Sequence, residues 1–187
     1  MRKGMFTCGA LLACVASVAC AQAAPASDES VSMFKQMAEV LRHPRCMNCH
    51  TFTDFPRQGD DRHRHIQMVV RGPNNSGFPT LQCSACHQTT NVADGAVPGA
   101  PNWHLAPLSM GWEGLSDQAL CRALKDTRKN GGKSLDALVH HMTDDPLVQW
   151  AWSPGGRVPP PLAQADFHRV VRRWAETGAS CPAERTT

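Results

Sequence analysis

Two short stretches carry the chemistry of this chain: Cys46-Met47-Asn48-Cys49-His50 and Cys83-Ser84-Ala85-Cys86-His87. Each reads C-x-x-C-H, the attachment signature of a c-type haem. Thiols three positions apart can add to the two vinyl groups of one porphyrin, and the adjacent imidazole then reaches the iron, so one pentapeptide fixes both ring and axial ligand. Cys46, Cys49, Cys83 and Cys86 are expected to bind two covalent haems, with His50 and His87 as the proximal ligands. Zinc is the competing reading of C-x-x-C pairs, but 33 residues separate Cys49 from Cys83, and zinc has no need of the trailing histidine twice.

The group opposite each proximal histidine decides the function, because a second His, a Met or an open position give three different kinds of iron centre. His65 lies 15 residues after His50 and His104 lies 17 after His87, each in irregular chain that can fold back over a porphyrin; these are the expected distal pair. His63 and Met68 are rivals of His65, and Met110 is the chief rival of His104. Which haem each distal histidine serves stays open. His43, three residues before Cys46, reads as a helix-terminal cation. His140, His141 and His168 read as rim or solvent positions on helices, and the tryptophans as packing residues.

The remaining cysteines point to the compartment. Arg2 and Lys3 precede an apolar run from Met5 to Ala21 that ends in the small-residue motif Ala21-Gln22-Ala23, the pattern of a secretory signal over 1–23 and a mature domain over 24–187. A membrane anchor and a lipid-modified cysteine are the alternatives; the run is short and lacks a basic flank, and the lipobox-like stretches ending at Cys14 and Cys20 are imperfect. Of nine cysteines, Cys8, Cys14 and Cys20 fall in the leader and four in the haem motifs, which leaves Cys121 and Cys181. In an oxidising compartment such as the periplasm these two are expected to form a disulfide, the alternative being two buried free thiols. After cleavage 17 basic residues face 16 acidic ones, and the scattered arginines make no nucleic-acid surface.

Elements able to position these groups are mostly helical. Val31, Phe34, Met37, Ala38 and Leu41 recur at helical spacing up to Pro44, delivering the chain to Cys46. Between the motifs, turn chemistry dominates, and only 65–70 could hold a short strand or a helical turn. Segment 91–111 reads as ordered loop. Over 115–182 three helices are expected: one capped by Ser116 and stopped at Asn130-Gly131-Gly132, one starting at Ser134 that buries Leu135, Leu138, Val139 and Met142, and one over about 163–177 with Phe167, Val170, Val171 and Trp174 inward. With only 6% aromatic residues and no tyrosine, the side-chain core is thin and porphyrins would supply apolar surface. The expected fold is mostly α with long irregular loops, wrapped around two haems.

Three stretches carry a family resemblance: His43 to His50, Gly99-Ala100-Pro101-Asn102-Trp103-His104, and Met142 to Gly155. They resemble small exported dihaem cytochromes labelled as isoquinoline 1-oxidoreductase subunits. The haem spacing is also similar to the dihaem small subunit of periplasmic nitrate reductase, whose irons are bis-His and which has a further ligand histidine upstream of its first motif; only His43 could match it here. The resemblance implies an electron carrier whose redox partner is a periplasmic molybdenum hydroxylase. The alternative is a dihaem enzyme of peroxidase or nitrogen-oxide-reductase type with one open iron, for which the chain is short.

Overall fold

A computed structural model describes Met1 and residues 26–184 of the chain; apart from Met1, the expected leader over 1–23 lies outside the described residues. The architecture is mostly helical with little strand. Helix α1 (Ala26–Leu41) opens with Asp28 and Glu29 at the positive end of its dipole. Its apolar stripe buries Phe34, Met37 and Val40 completely. A short helix α2 (Pro44–Met47) follows at once, with Pro44 in its first turn and His43 as its N-cap.

Two minimal antiparallel hairpins fill the span between the motifs: β1 (Arg57–Gln58) with β2 (His63–Arg64), and β3 (Gly77–Phe78) with β4 (Leu81–Gln82). The only element expected there was a strand or helical turn over 65–70. Instead Met68 adopts a left-handed φ of 57°, and neither α-helix nor strand forms in that segment. Strands of two residues have no periodicity to read, so turn chemistry alone marks them.

The C-terminal part holds α3 (Asp117–Lys125), α4 (Leu135–Asp144), a short α5 (Pro146–Gln149) that periodicity did not reveal, and α6 (Gln164–Glu176). Ser116 and Ser134 cap α3 and α4 as expected, accepting from Ala119 N–H and Ala137 N–H at 3.2 Å each. Leu138 and Met142 are buried on α4, whereas Leu135 is exposed because it stands in the first turn, beyond the edge of the packed layer.

Helix α6 is the centre of packing, with α1 laid along one side and α4 along another. Its buried Phe167, Val170, Val171 and Trp174 meet Phe34, Leu120 and Leu124. Ser30, wholly buried, donates to the Trp174 carbonyl at 3.0 Å and accepts from Ser180 N–H at 2.8 Å, tying α1 to the chain beyond α6. Cys121 and Cys181 form a disulfide with Cα atoms 5.5 Å apart, linking α3 to that same terminal stretch. No helix among the described residues is long and apolar enough to cross a membrane.

Candidate functional site

The first C-x-x-C-H motif sits on α2 and the turn after it, so Cys46, Cys49 and His50 face one cleft. The opposite walls come from the loop around Trp103 and Met110, from α4 through His141 and Met142, and from the turn at 150–152. The cleft takes in about 1060 Å³ of space, part of it open to solvent. The second motif forms a turn, Cys83–Ala85, after β4, with His87 just beyond it.

Both motif histidines are oriented in the same way. His50 Nδ1 donates to the Met110 carbonyl at 2.9 Å, and His87 Nδ1 donates to the Pro98 carbonyl at 2.7 Å. A backbone carbonyl on Nδ1 fixes the tautomer and leaves Nε2 as a lone-pair donor, the arrangement found behind metal-bound imidazoles. Each ring is also covered by an indole: Trp112 on His50, with centroids 3.4 Å and planes 12° apart, and Trp103 on His87, at 4.4 Å and 4°. One segment, 98–112, therefore supplies both carbonyls and both indoles. The expectation that these tryptophans pack holds for Trp112, buried in the core cluster, and for Trp152, which lies against Phe167 at 5.1 Å; Trp112 and Trp103 in addition cover the motif imidazoles.

Burial governs the titration of the first motif's groups. Burial pushes the His50 imidazolium down to about 3, so the ring is neutral at ordinary pH. Burial also pushes the Cys46 thiol up to about 12, with the charge of Cys49 adding to it. Cys49 rises to about 11, again by burial first and then by the charge of Cys83. Protonated thiols are poor nucleophiles until something activates them.

The remaining histidines separate by what holds them. His65 lies edge-on to His87 with ring centroids 6.0 Å apart, and its buried Nδ1 has no partner within the protein. His63, its rival, is turned outward onto Asp61 at 2.6 Å, and Met68 is 60% exposed. His104 lines the first cleft with Nδ1 on the Asn102 carbonyl. His141, which the helical pattern assigned to the rim, lines the same cleft, with Nδ1 held by Asp145 Oδ2 at 3.0 Å. Asp145 four residues later does not mark it out, because the exposed His140 has Asp144 at the same spacing. Its neighbour His140 is solvent-exposed as expected, beside Asp144 at 3.2 Å.

Met110 presents its carbonyl to the Nδ1 side of His50, behind the ring. His43 is a cap acceptor for Arg45 N–H at 3.3 Å, and burial followed by the charge of Arg45 holds it below its ordinary value; the expected helix-terminal cation is therefore a neutral N-cap, because Pro44 starts a new helix there. His168 is bound to Gln149 Oε1 at 2.7 Å.

The donor set suits a porphyrin iron bound through thioethers. Paired thiols stand next to an Nε2-free imidazole twice, and a second imidazole stands near each. Among the described residues no three His, Cys, Asp or Glu side chains converge on one point. Compared with known protein families, with characterised proteins and with solved structures, the chain matches none.

Proposed function

We propose that this chain is an exported dihaem c-type cytochrome that passes single electrons, not an enzyme with its own substrate. The observation that supports it most is the duplicated arrangement of His50 and His87, each with Nδ1 committed to a backbone carbonyl and an indole against its face. A haem bound at each motif would supply a one-electron iron couple. Cys46 and Cys49 would hold one ring and Cys83 and Cys86 the other, with His50 and His87 donating Nε2.

For the sixth positions we assign His65 opposite His87. Two rings 6.0 Å apart leave room for one metal at roughly 2 Å from each nitrogen. Opposite His50 the cleft offers His104 and His141, and we place His141 ahead of His104 because Asp145 orients its ring from behind, as carboxylates do for metal-bound histidines. With both irons six-coordinate the chain's own part is to exclude water, fix the imidazoles and set the distance between the sites.

Covalent attachment belongs to the periplasm, in keeping with the expected leader and with the disulfide between Cys121 and Cys181. The partner we infer is a redox protein handing electrons towards the respiratory chain; sequence likeness to isoquinoline 1-oxidoreductase subunits points to a molybdenum hydroxylase as the donor. The test is maturation in a host with a haem-attachment system. The purified protein should gain the mass of two haems and show reduced spectra that carbon monoxide leaves unchanged. A rapid carbon monoxide shift would instead favour a dihaem enzyme with an open iron, and a chain without added mass would end the haem reading.

A further inference from the structure

The peptide between Pro98 and Gly99 is held on both sides. Its oxygen accepts from His87 Nδ1 at 2.7 Å, and its N–H donates to Asn91 Oδ1 at 3.0 Å. The same Oδ1 accepts from Trp150 Nε1 at 2.8 Å, and Asn91 Nδ2 donates to the Ser153 carbonyl at 2.8 Å. One side chain thereby joins the peptide behind His87 to the turn that walls the His50 cleft through Trp150, Ala151 and Trp152. Only glycine fits at 99, because a Cβ there would lie 2.1 Å from the Thr90 oxygen and 2.6 Å from the Gln88 oxygen.

These contacts specify an amide. The side-chain oxygen of Asn91 faces two N–H donors and its nitrogen faces a carbonyl, so acceptor and donor must stand on one planar group. A carboxylate would keep the first two contacts and set its second oxygen against the Ser153 carbonyl; an apolar side chain would lose all three. At the first motif the corresponding peptide needs no side chain. The Met110 carbonyl accepts from His50 Nδ1, and the N–H of that peptide, on Gly111, is taken by the Leu108 carbonyl at 3.2 Å within its own turn. The two sites, alike in imidazole, carbonyl and indole, differ in what stands behind the carbonyl.

We propose that Asn91 is a positioning residue for His87, acting through the Pro98–Gly99 peptide to make the imidazole a stronger donor and so to favour the oxidised form of the second iron. The inference rests on the dihaem reading given above. An N–H that donates to Asn91 polarises its own peptide and draws charge onto the Pro98 oxygen, because hydrogen bonds in a chain strengthen one another. The stronger acceptor pulls harder on the Nδ1 proton, and the ring gains basicity at Nε2. No bond is made or broken; Asn91 shifts the balance between two oxidation states at one iron and leaves the other iron alone.

The test uses protein matured with two haems, verified by mass, as wild type, Asn91→Ala and Asn91→Asp. Both midpoint potentials are titrated at neutral pH, and the haem served by His87 is identified as the one lost when Cys83 and Cys86 are both changed to Ser. N91A should raise the reduced-to-oxidised ratio of that haem about threefold at its wild-type midpoint, a shift of about 28 mV for a one-electron couple, and leave the other midpoint in place. N91D keeps an acceptor for Gly99 N–H and should hold the same midpoint at or below the wild-type value, whatever either change does to the melting temperature. A residue that merely props the loop would move N91A and N91D in the same sense. Unchanged midpoints in N91A, a shift shared by both haems or confined to the other one, or a midpoint above wild type in N91D each overturn the proposal. Should N91A take up fewer than two haems, N91D decides by that last criterion. A wild type without the two-haem mass would instead defeat the underlying reading.

Discussion

Trp103 lies flat against His87, with planes 4° apart and centroids at 4.4 Å, and meets Trp150 edge-on at 4.9 Å. Trp103 and Trp150 also line the cleft of His50, so one indole touches both sites. Its counterpart Trp112, on His50, is 4% exposed. Replacing Trp112 by Ala should cost about 3–5 kcal/mol, the range for a buried aromatic lost from a packed site. Trp103→Ala should cost less, because that ring is only partly buried, yet should broaden the low-spin electron paramagnetic signal of one haem as His87 loses the surface that fixes its rotation. Denaturant melts and spectra of the matured variants check both; an unperturbed signal in W103A would mean that the carbonyl of Pro98 orients His87 unaided.

Three single replacements test the sixth ligands. His65→Ala and His141→Ala should each turn one haem high-spin and open it to carbon monoxide, whereas His104→Ala should leave both low-spin. High-spin character in H104A with a silent H141A would return the position opposite His50 to His104. Asp145→Asn gives a subtler readout. On the proposed assignment the carboxylate would make the His141 ring a stronger donor and favour oxidised iron, so its loss should raise the potential of the same haem that H141A opens.

Cys121 and Cys181 join α3 to the chain after α6 across a sequence separation of 60. A bridge that closes so long a loop restricts the unfolded chain strongly, and the double change to Ser should cost about 2–5 kcal/mol in unfolding experiments on the matured protein. Thiol counting after denaturation of the matured protein should find no free cysteine in the wild type, since on the proposed reading haem would hold the other four. Two reactive thiols would remove the bridge.

What could be read from the chain follows from how local each signal is. The motif cysteines and histidines are defined by spacing within five residues, and Cys121 and Cys181 by subtraction. The caps at Ser116 and Ser134 are equally local. His141 was out of reach because its face of α4 borders the stripe of Leu138 and Met142, and only the approach of segment 98–112 turns that border into the wall of a cleft. His43 was misread because α2 is four residues long, too short for periodicity, and Pro44 reads equally well as a stop and as a first helical residue. The carbonyls of Pro98 and Met110 leave no trace in side-chain type at all.

The acid side of the stability curve offers a last test, on haem-free chain. Glu113 accepts from Thr51 at 2.6 Å, from Phe52 N–H at 2.5 Å and from Arg62 at 2.9 Å, next to the first motif. Burial raises its carboxyl, but these hydrogen bonds and the Arg62 charge outweigh burial and hold it below the ordinary range. A depressed carboxylate contributes stability above its unfolded value, near 4.3, that is lost as pH falls through the folded value. His50 acts earlier. Its folded value of about 3 lies below the unfolded value near 6.5, so the unfolded state takes up the proton first and stability declines from about pH 6.5 downward. Urea midpoints of haem-free protein should therefore fall in two stages as pH drops. Glu113→Gln should lower stability at pH 7 by about 1–3 kcal/mol and make the fall below about pH 4.5 shallower, leaving the decline that starts near pH 6.5 intact. An upper stage that vanishes in E113Q would mean that His50 is not the group responsible for it.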